Sequence, residues 1–151
     1  MQCQIRLATD EDAVAINRVI IAALRESNSK DYPADVIAAV ERGFTVQAIR
    51  SLMTQRQVYV GTVGLSVIAT ASLDDDVVRS VFVEPKHQRI GIGRQLMAVI
   101  RSRAASAGVD VLRVPSSITA QDFYASLGFV AIRDEFHGAE RTVIMQLQLR
   151  K

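Results

Sequence analysis

Two glycines one residue apart, Gly91 and Gly93, stand where a strand-like stretch gives way to a helix-like one. This junction constrains the chain more than any other feature. Upstream, residues 77–83 are rich in β-branched side chains, and Pro85 ends the run. Downstream, Leu96, Met97, Ile100 and Ala104 recur at helical spacing, and Gly108 is placed to cap a helix over 93–107. A helix N-terminus presents unpaired N–H groups and about half a positive charge. Glycine lets the backbone come close to an anion there. Gln88, Arg89 and Arg94 surround Ile90, Gly91, Ile92 and Gly93 with side-chain donors. The expected ligand is a phosphate or pyrophosphate.

The remaining texture divides the chain in two. Residues 3–7 read as a short strand. Thr9 followed by Asp10, Glu11 and Asp12 suits a helix start, and Ala13, Ile16, Val19, Ile20, Ala23 and Leu24 continue it at helical spacing. After a polar break at 27–33, a second helical stretch begins near Pro33, pauses at Gly43 and resumes over 45–53. From residue 58 the period shortens. Residues 58–60 and 65–73 form a hairpin pattern around Gly61 and Gly64, and Asp74, Asp75 and Asp76 make the turn into 77–83. Strand, short helix and two strands follow over 109–114, 119–126, 129–134 and 141–149, the last two joined around Gly138. The expected order is β, α, α, β, β, β, α, β, α, β, β, with neither repeats nor a linker.

The 151 residues fit one domain, over 3–150, large enough to bury a core. Eighteen basic and 16 acidic residues leave a net charge of +2, too balanced for nucleic acid or an anionic membrane to be the expected partner. The lone Cys3 excludes an internal disulfide framework, and no metal is expected. Residues 1–6 lack an apolar leader segment, and 58–73 falls short of a membrane span. The expectation is a cytoplasmic protein.

Three phosphate loops compete for Gly91 and Gly93. A P-loop requires a Gly-Lys-Ser/Thr string that is absent. A dinucleotide fingerprint requires a third glycine where Leu96 stands, and normally opens a βαβ unit. The third is a coenzyme A loop. The run Val83-Glu84-Pro85-Lys86-His87-Gln88-Arg89-Ile90-Gly91-Ile92-Gly93-Arg94 resembles the central signature of the GNAT N-acetyltransferase superfamily, Gln/Arg-x-x-Gly-x-Gly/Ala after a strand ending in Val-x-Pro. A second block, from Leu112 and Val114 through Ser117, Ala120, Phe123 and Tyr124 to Gly128 and Phe129, resembles that family's second cofactor-side motif.

The resemblance implies an α/β fold with a mixed, mostly antiparallel sheet of six or seven strands and about four helices. It implies transfer of acetyl from acetyl-coenzyme A to a primary amine by direct attack, through a tetrahedral intermediate. It places the pantetheine arm along Val81, Phe82 and Val83, with a backbone N–H of Val81 or its neighbour on the oxyanion. The pyrophosphate falls on residues 88–94, and Ser117, Ala120 and Phe123 lie beside the cofactor. Ser117 stands where many members carry Asn. Tyr124 matches the tyrosine that lies near the cofactor sulfur, and is the candidate acid, since an alkyl thiol titrates near 8.5. Pro115 fits the point where the family's sheet splays. Asp31, Tyr32 and His137 fall in segments that border the acceptor in the family, with Glu140 and Glu84 as further candidate bases. The acceptor is a small molecule or a protein amine, the former favoured for so compact a chain. A homodimer is compatible with the family. A non-catalytic acyl-coenzyme A sensor is the alternative reading.

Overall fold

The computed structural model describes residues 2–150. The chain runs β1 (Gln4–Leu7), α1 (Ala13–Glu26), α2 (Ala34–Glu41), α3 (Val46–Gln55), β2 (Gln57–Val63), β3 (Ser66–Asp74), β4 (Val77–Val83), α4 (Ile92–Ser106), β5 (Val111–Ser117), α5 (Gln121–Ser126), β6 (Val130–His137) and β7 (Glu140–Gln148). The helical pause at Gly43 is a full break. Thr45 is extended, and its hydroxyl accepts from the Ala48 N–H at 3.1 Å, starting α3 as a separate helix. Five α-helices result where about four were expected.

Seven strands form one sheet in the order β1-β2-β3-β4-β5-β7-β6. Every neighbouring pair is antiparallel except β4 and β5. Helix α4 covers one face, where Leu96, Met97 and Ile100 pack with Ile68, Val78, Leu112 and Met145. Helices α1 to α3 cover the other, where Ile16, Ile20, Val36 and Ile49 pack with Val58, Val60 and Val67. Each fully buried aliphatic side chain contributes about 1.5–3 kcal/mol. At the start of α1, the Asp12 carboxylate accepts from the Thr9 N–H at 2.8 Å and from Arg6 at 2.7 and 3.0 Å.

Two irregularities distort the sheet on either side of β4. The parallel strands β4 and β5 share a single register pair, Val77 with Arg113, and part beyond it. The Arg113 N–H donates to the Asp76 carbonyl at 2.9 Å. Strand alternation therefore turns the nitrogen of Pro115 to the same side, into the opening, where the missing donor costs the ladder nothing. On the other edge of β4, Thr70 pairs with Phe82 but Ser72 with Arg79. Ser80 and Val81 thus oppose one residue, Ala71, in a β-bulge, with Ser80 at φ 55°.

Candidate active site

The parting of β4 and β5 opens a cleft of about 1070 Å³. Its walls include Val81, Phe82 and Val83 from β4, and Pro115 and Ser117 from β5. At one end lies the N-terminus of α4. Gly91 caps it at φ 90°, a conformation costly for any side chain. The first helical bond runs from the Gln95 N–H to the Gly91 carbonyl. The N–H groups of Ile92, Gly93 and Arg94 have no partner among the described residues, and Gly91, Gly93, Arg89 and Arg94 line the cleft there. Helix dipole and guanidinium groups together make this end anion-binding.

Gly93 has a second reason to be glycine. A Cβ there would meet the Phe123 ring at 3.0 and 3.1 Å, so α4 and α5 pack closely because that side chain is missing. Neighbouring residues take other roles. The Gln88 amide donates to the Val83 carbonyl at 3.0 Å and to the Ser27 hydroxyl at 3.2 Å, tying loop to strand end. Arg94 donates to the Ser126 hydroxyl at 3.1 Å, and Ile90 is exposed. Ile92 is buried in the α4 core. Ser117 accepts from the Ala120 N–H at 3.1 Å, shaping the entry to α5, and Ala120 and Phe123 line the cleft beside it.

Tyr124 is buried, its ring edge-on to Phe123 at 5.1 Å and to Phe129 at 5.5 Å. It lines the cleft, and its hydroxyl makes no hydrogen bond among the described residues. Burial pushes its pKa well above that of an ordinary phenol. The group is protonated at any working pH and has a free donor.

The segment between α1 and α2 bridges the opening. The Tyr32 hydroxyl donates to the Arg141 carbonyl and accepts from the Ile118 N–H at 2.8 Å. Asp31 accepts from the Thr119 hydroxyl at 2.7 Å. Both side chains line the cleft while fastening its roof. His137 and Glu140 face each other across the β6–β7 turn and also line it. Glu84 instead lies 3.5 Å from His87.

Three features were not visible in the sequence: the bulge at Ser80, the Tyr32 clamp, and Arg56. The Arg56 guanidinium donates to the Ser80 hydroxyl at 3.2 Å and lines the cleft near the bulge. A positive-φ serine inside a β-branched run has no sequence signature, and the other two are contacts between distant segments.

The family model for an acetyltransferase (GNAT) domain matches residues 25–149. The chain belongs to the GNAT acetyltransferase family. A GCN5-related N-acetyltransferase structure from Rhodopseudomonas palustris superposes with a TM-score of 0.93 at 19% identity, covering 98% of this chain and 96% of that one. The paiA N-acetyltransferase from Thermoplasma acidophilum, solved with coenzyme A, superposes at 0.81 with 16% identity, covering 98% and 99%. The putative acetyltransferase yncA from Salmonella typhimurium, solved with acetyl-CoA, superposes at 0.67 with 25% identity, covering 100% and 96%. No curated protein matches the sequence. The seven-stranded sheet parted at β4 and β5 is this acetyltransferase's GNAT fold. No helix among the described residues is long and apolar enough to cross a membrane.

Proposed function

We propose that this acetyltransferase moves the acetyl group of acetyl-coenzyme A to the nitrogen of a primary amine by direct attack. The observation that carries this reading is the continuity of the cleft: it runs from the unpaired N–H groups of α4, between the parted strands, to the free hydroxyl of Tyr124.

The fit to coenzyme A is chemical. The N–H groups of Ile92, Gly93 and Arg94, with Arg89, suit a pyrophosphate. The strand β4 has lost β5 as a partner beyond Val77, so its backbone can pair with the pantetheine amides. Acetyl-coenzyme A supplies an activated thioester. The chain supplies donors around it. The backbone N–H of Val81, at the bulge, faces the developing oxyanion, where one such donor is worth about 2.7–4 kcal/mol. The amine nitrogen adds to the carbonyl carbon, the C=O pair moving onto oxygen to give a tetrahedral intermediate; its collapse breaks the C–S bond, and the Tyr124 hydroxyl donates to the departing sulfur. His137 and Glu140, on the opposite wall, receive the proton the amine gives up, directly or through water.

The roof over 27–32, tied to Gln88, Ile118 and Thr119, favours a small acceptor over a folded protein. An amine panel assayed by thiol release tests the reading. Turnover is expected with at least one amine, together with coenzyme A binding that weakens in an Arg89→Gln, Arg94→Gln double variant. Tight coenzyme A binding without turnover on any amine would favour a sensor instead.

A further inference from the structure

Arg56 is the most unusual charge in the molecule. It closes α3 in an extended conformation just before β2 and is largely covered by neighbouring elements. Its Nη2 donates to the Ser80 hydroxyl at 3.2 Å. Its Nε is buried and has no acceptor. Its Nη1 has no acceptor among the described residues either. No carboxylate among them pairs with it. Asp74, the acid whose field reaches it, lies 3.4 Å from Arg79, which sits on the same face of β4 and repels Arg56. Burial and that repulsion both press on its charge.

A guanidinium held in this way is costly unless an anion completes it. A void of about 10 Å³ behind it is at the lower limit for one water molecule, which could accept from Nε but brings no charge. Arg56 lies on the cleft wall with Phe44, Leu52 and Phe82, its Nη1 without an acceptor among the described residues. Its planar fork matches a carboxylate with two parallel hydrogen bonds. Coenzyme A does not meet this need in the proposed pose. Its phosphates fall on α4, beyond the end of β4, whereas Ser80 is in mid-strand.

We infer that the amine acceptor carries a carboxylate, and that Arg56, anchored on Ser80, receives it. This rests on the acetyl-transfer reading above. Ser80 adjoins Val81, whose N–H faces the acetyl carbonyl in that reading, and consecutive Cα atoms are about 3.8 Å apart. The attacking amine and the bound carboxylate are therefore separated by about one residue's width. The substrate class is a small amino acid, with the apolar wall of Phe44, Leu52 and Phe82 beside its carbon chain.

The test compares the common amino acids with their C-terminal amides. Acetylation by the wild-type protein should favour the acid over the matched amide by at least about tenfold in kcat/KM, the worth of about 1.4 kcal/mol. Arg56→Gln should bring that ratio close to one, Arg56→Lys should restore part of it, and both should bind coenzyme A as the wild type does. Equal or better use of the amides by the wild type overturns the inference, as does an unchanged ratio in Arg56→Gln. A binding arm keeps the two readings separable. Calorimetric titration of coenzyme A-loaded protein with the same pairs should show tighter binding of the acids, lost in Arg56→Gln. If that preference appears while no amine is acetylated, the carboxylate site stands and acetyl transfer falls. If amines without a carboxylate are the ones acetylated, acetyl transfer stands and the carboxylate site falls. If neither acid nor amide binds, the carboxylate site is refuted.

Discussion

Replacing Tyr124 by Phe removes one oxygen atom and leaves the aromatic packing in place. The ring contacts to Phe123 and Phe129, at 5.1 and 5.5 Å, survive. The hydroxyl has no hydrogen-bond partner among the described residues to lose, and Tyr124 lines the open cleft. Folding stability should therefore stay within about 1 kcal/mol of the wild type. Catalysis should respond differently. A positioned acid contributes about 10²–10⁴-fold. A thiolate leaves more readily than an alkoxide, so the low end applies, about 10²-fold in kcat or 2.7 kcal/mol. Coenzyme A affinity should change by less than about twofold. The pH dependence gives a second check. Burial raises the Tyr124 pKa, so the neutral phenol persists above the usual value of about 10. The contribution of this raised group to folding stability is then fully present below pH 10 and is lost as pH rises further. The kcat profile should show no falling limb from this tyrosine below pH 10. Steady-state thiol release, thermal unfolding and coenzyme A titration decide the matter together. An unchanged kcat, or a falling limb near pH 9 that vanishes in Tyr124→Phe, would refute the reasoning.

Gly93→Ala sets a helix-propensity gain of about 1 kcal/mol against a Cβ at 3.0 Å from the Phe123 ring. Overpacking costs about 1–3 kcal/mol, so a net loss of about 0–2 kcal/mol in urea unfolding is expected, with weaker coenzyme A binding as α5 shifts. Tyr32→Phe leaves the Ile118 N–H and the Arg141 carbonyl without their shared partner. Stability should fall by about 1–3 kcal/mol, with faster amide exchange at Ile118. Asp12→Asn removes the negative charge and one of the two oxygens that accept the Arg6 and Thr9 bonds, which hold the carboxyl below the usual carboxylate range. A group lowered in this way stabilises above its unfolded titration and loses that contribution as pH falls. The variant should be less stable by about 1–3 kcal/mol at pH 7, and the gap in urea midpoint should narrow as pH falls below the usual carboxylate range.

Most of the scaffold was legible because its signals are local. The α1 stripe from Ala13 to Leu24, the β-branched runs of β3 and β4 and the glycine loop each declare their geometry within a few residues. The break at Thr45 was softer in the sequence, since a threonine cap resembles a threonine in a continuing helix. Pro115 was placed at the opening by the family resemblance alone, and the structure supplies the physical reason: its missing N–H falls on the side of β5 that has parted from β4.

On the acceptor side only Asp31, Tyr32 and His137 were legible, through the family resemblance, and the contacts that shape it were not, for a different reason. Its key elements come from segments far apart in the chain: Arg56 after α3, Ser80 inside β4, Tyr32 after α1. None has a periodicity or a motif, and each matters only through what the fold brings beside it. Ser80 joins the two halves of the problem. Its left-handed backbone makes the bulge opposite β3, and its hydroxyl anchors Arg56 on the cleft wall. Glycine there would relieve the backbone while deleting the anchor. Ser80→Gly should accordingly keep the bulge and coenzyme A binding, yet lower the preference for an acid over its amide by about tenfold. An intact preference in that variant would mean that Arg56 is positioned by its packing alone.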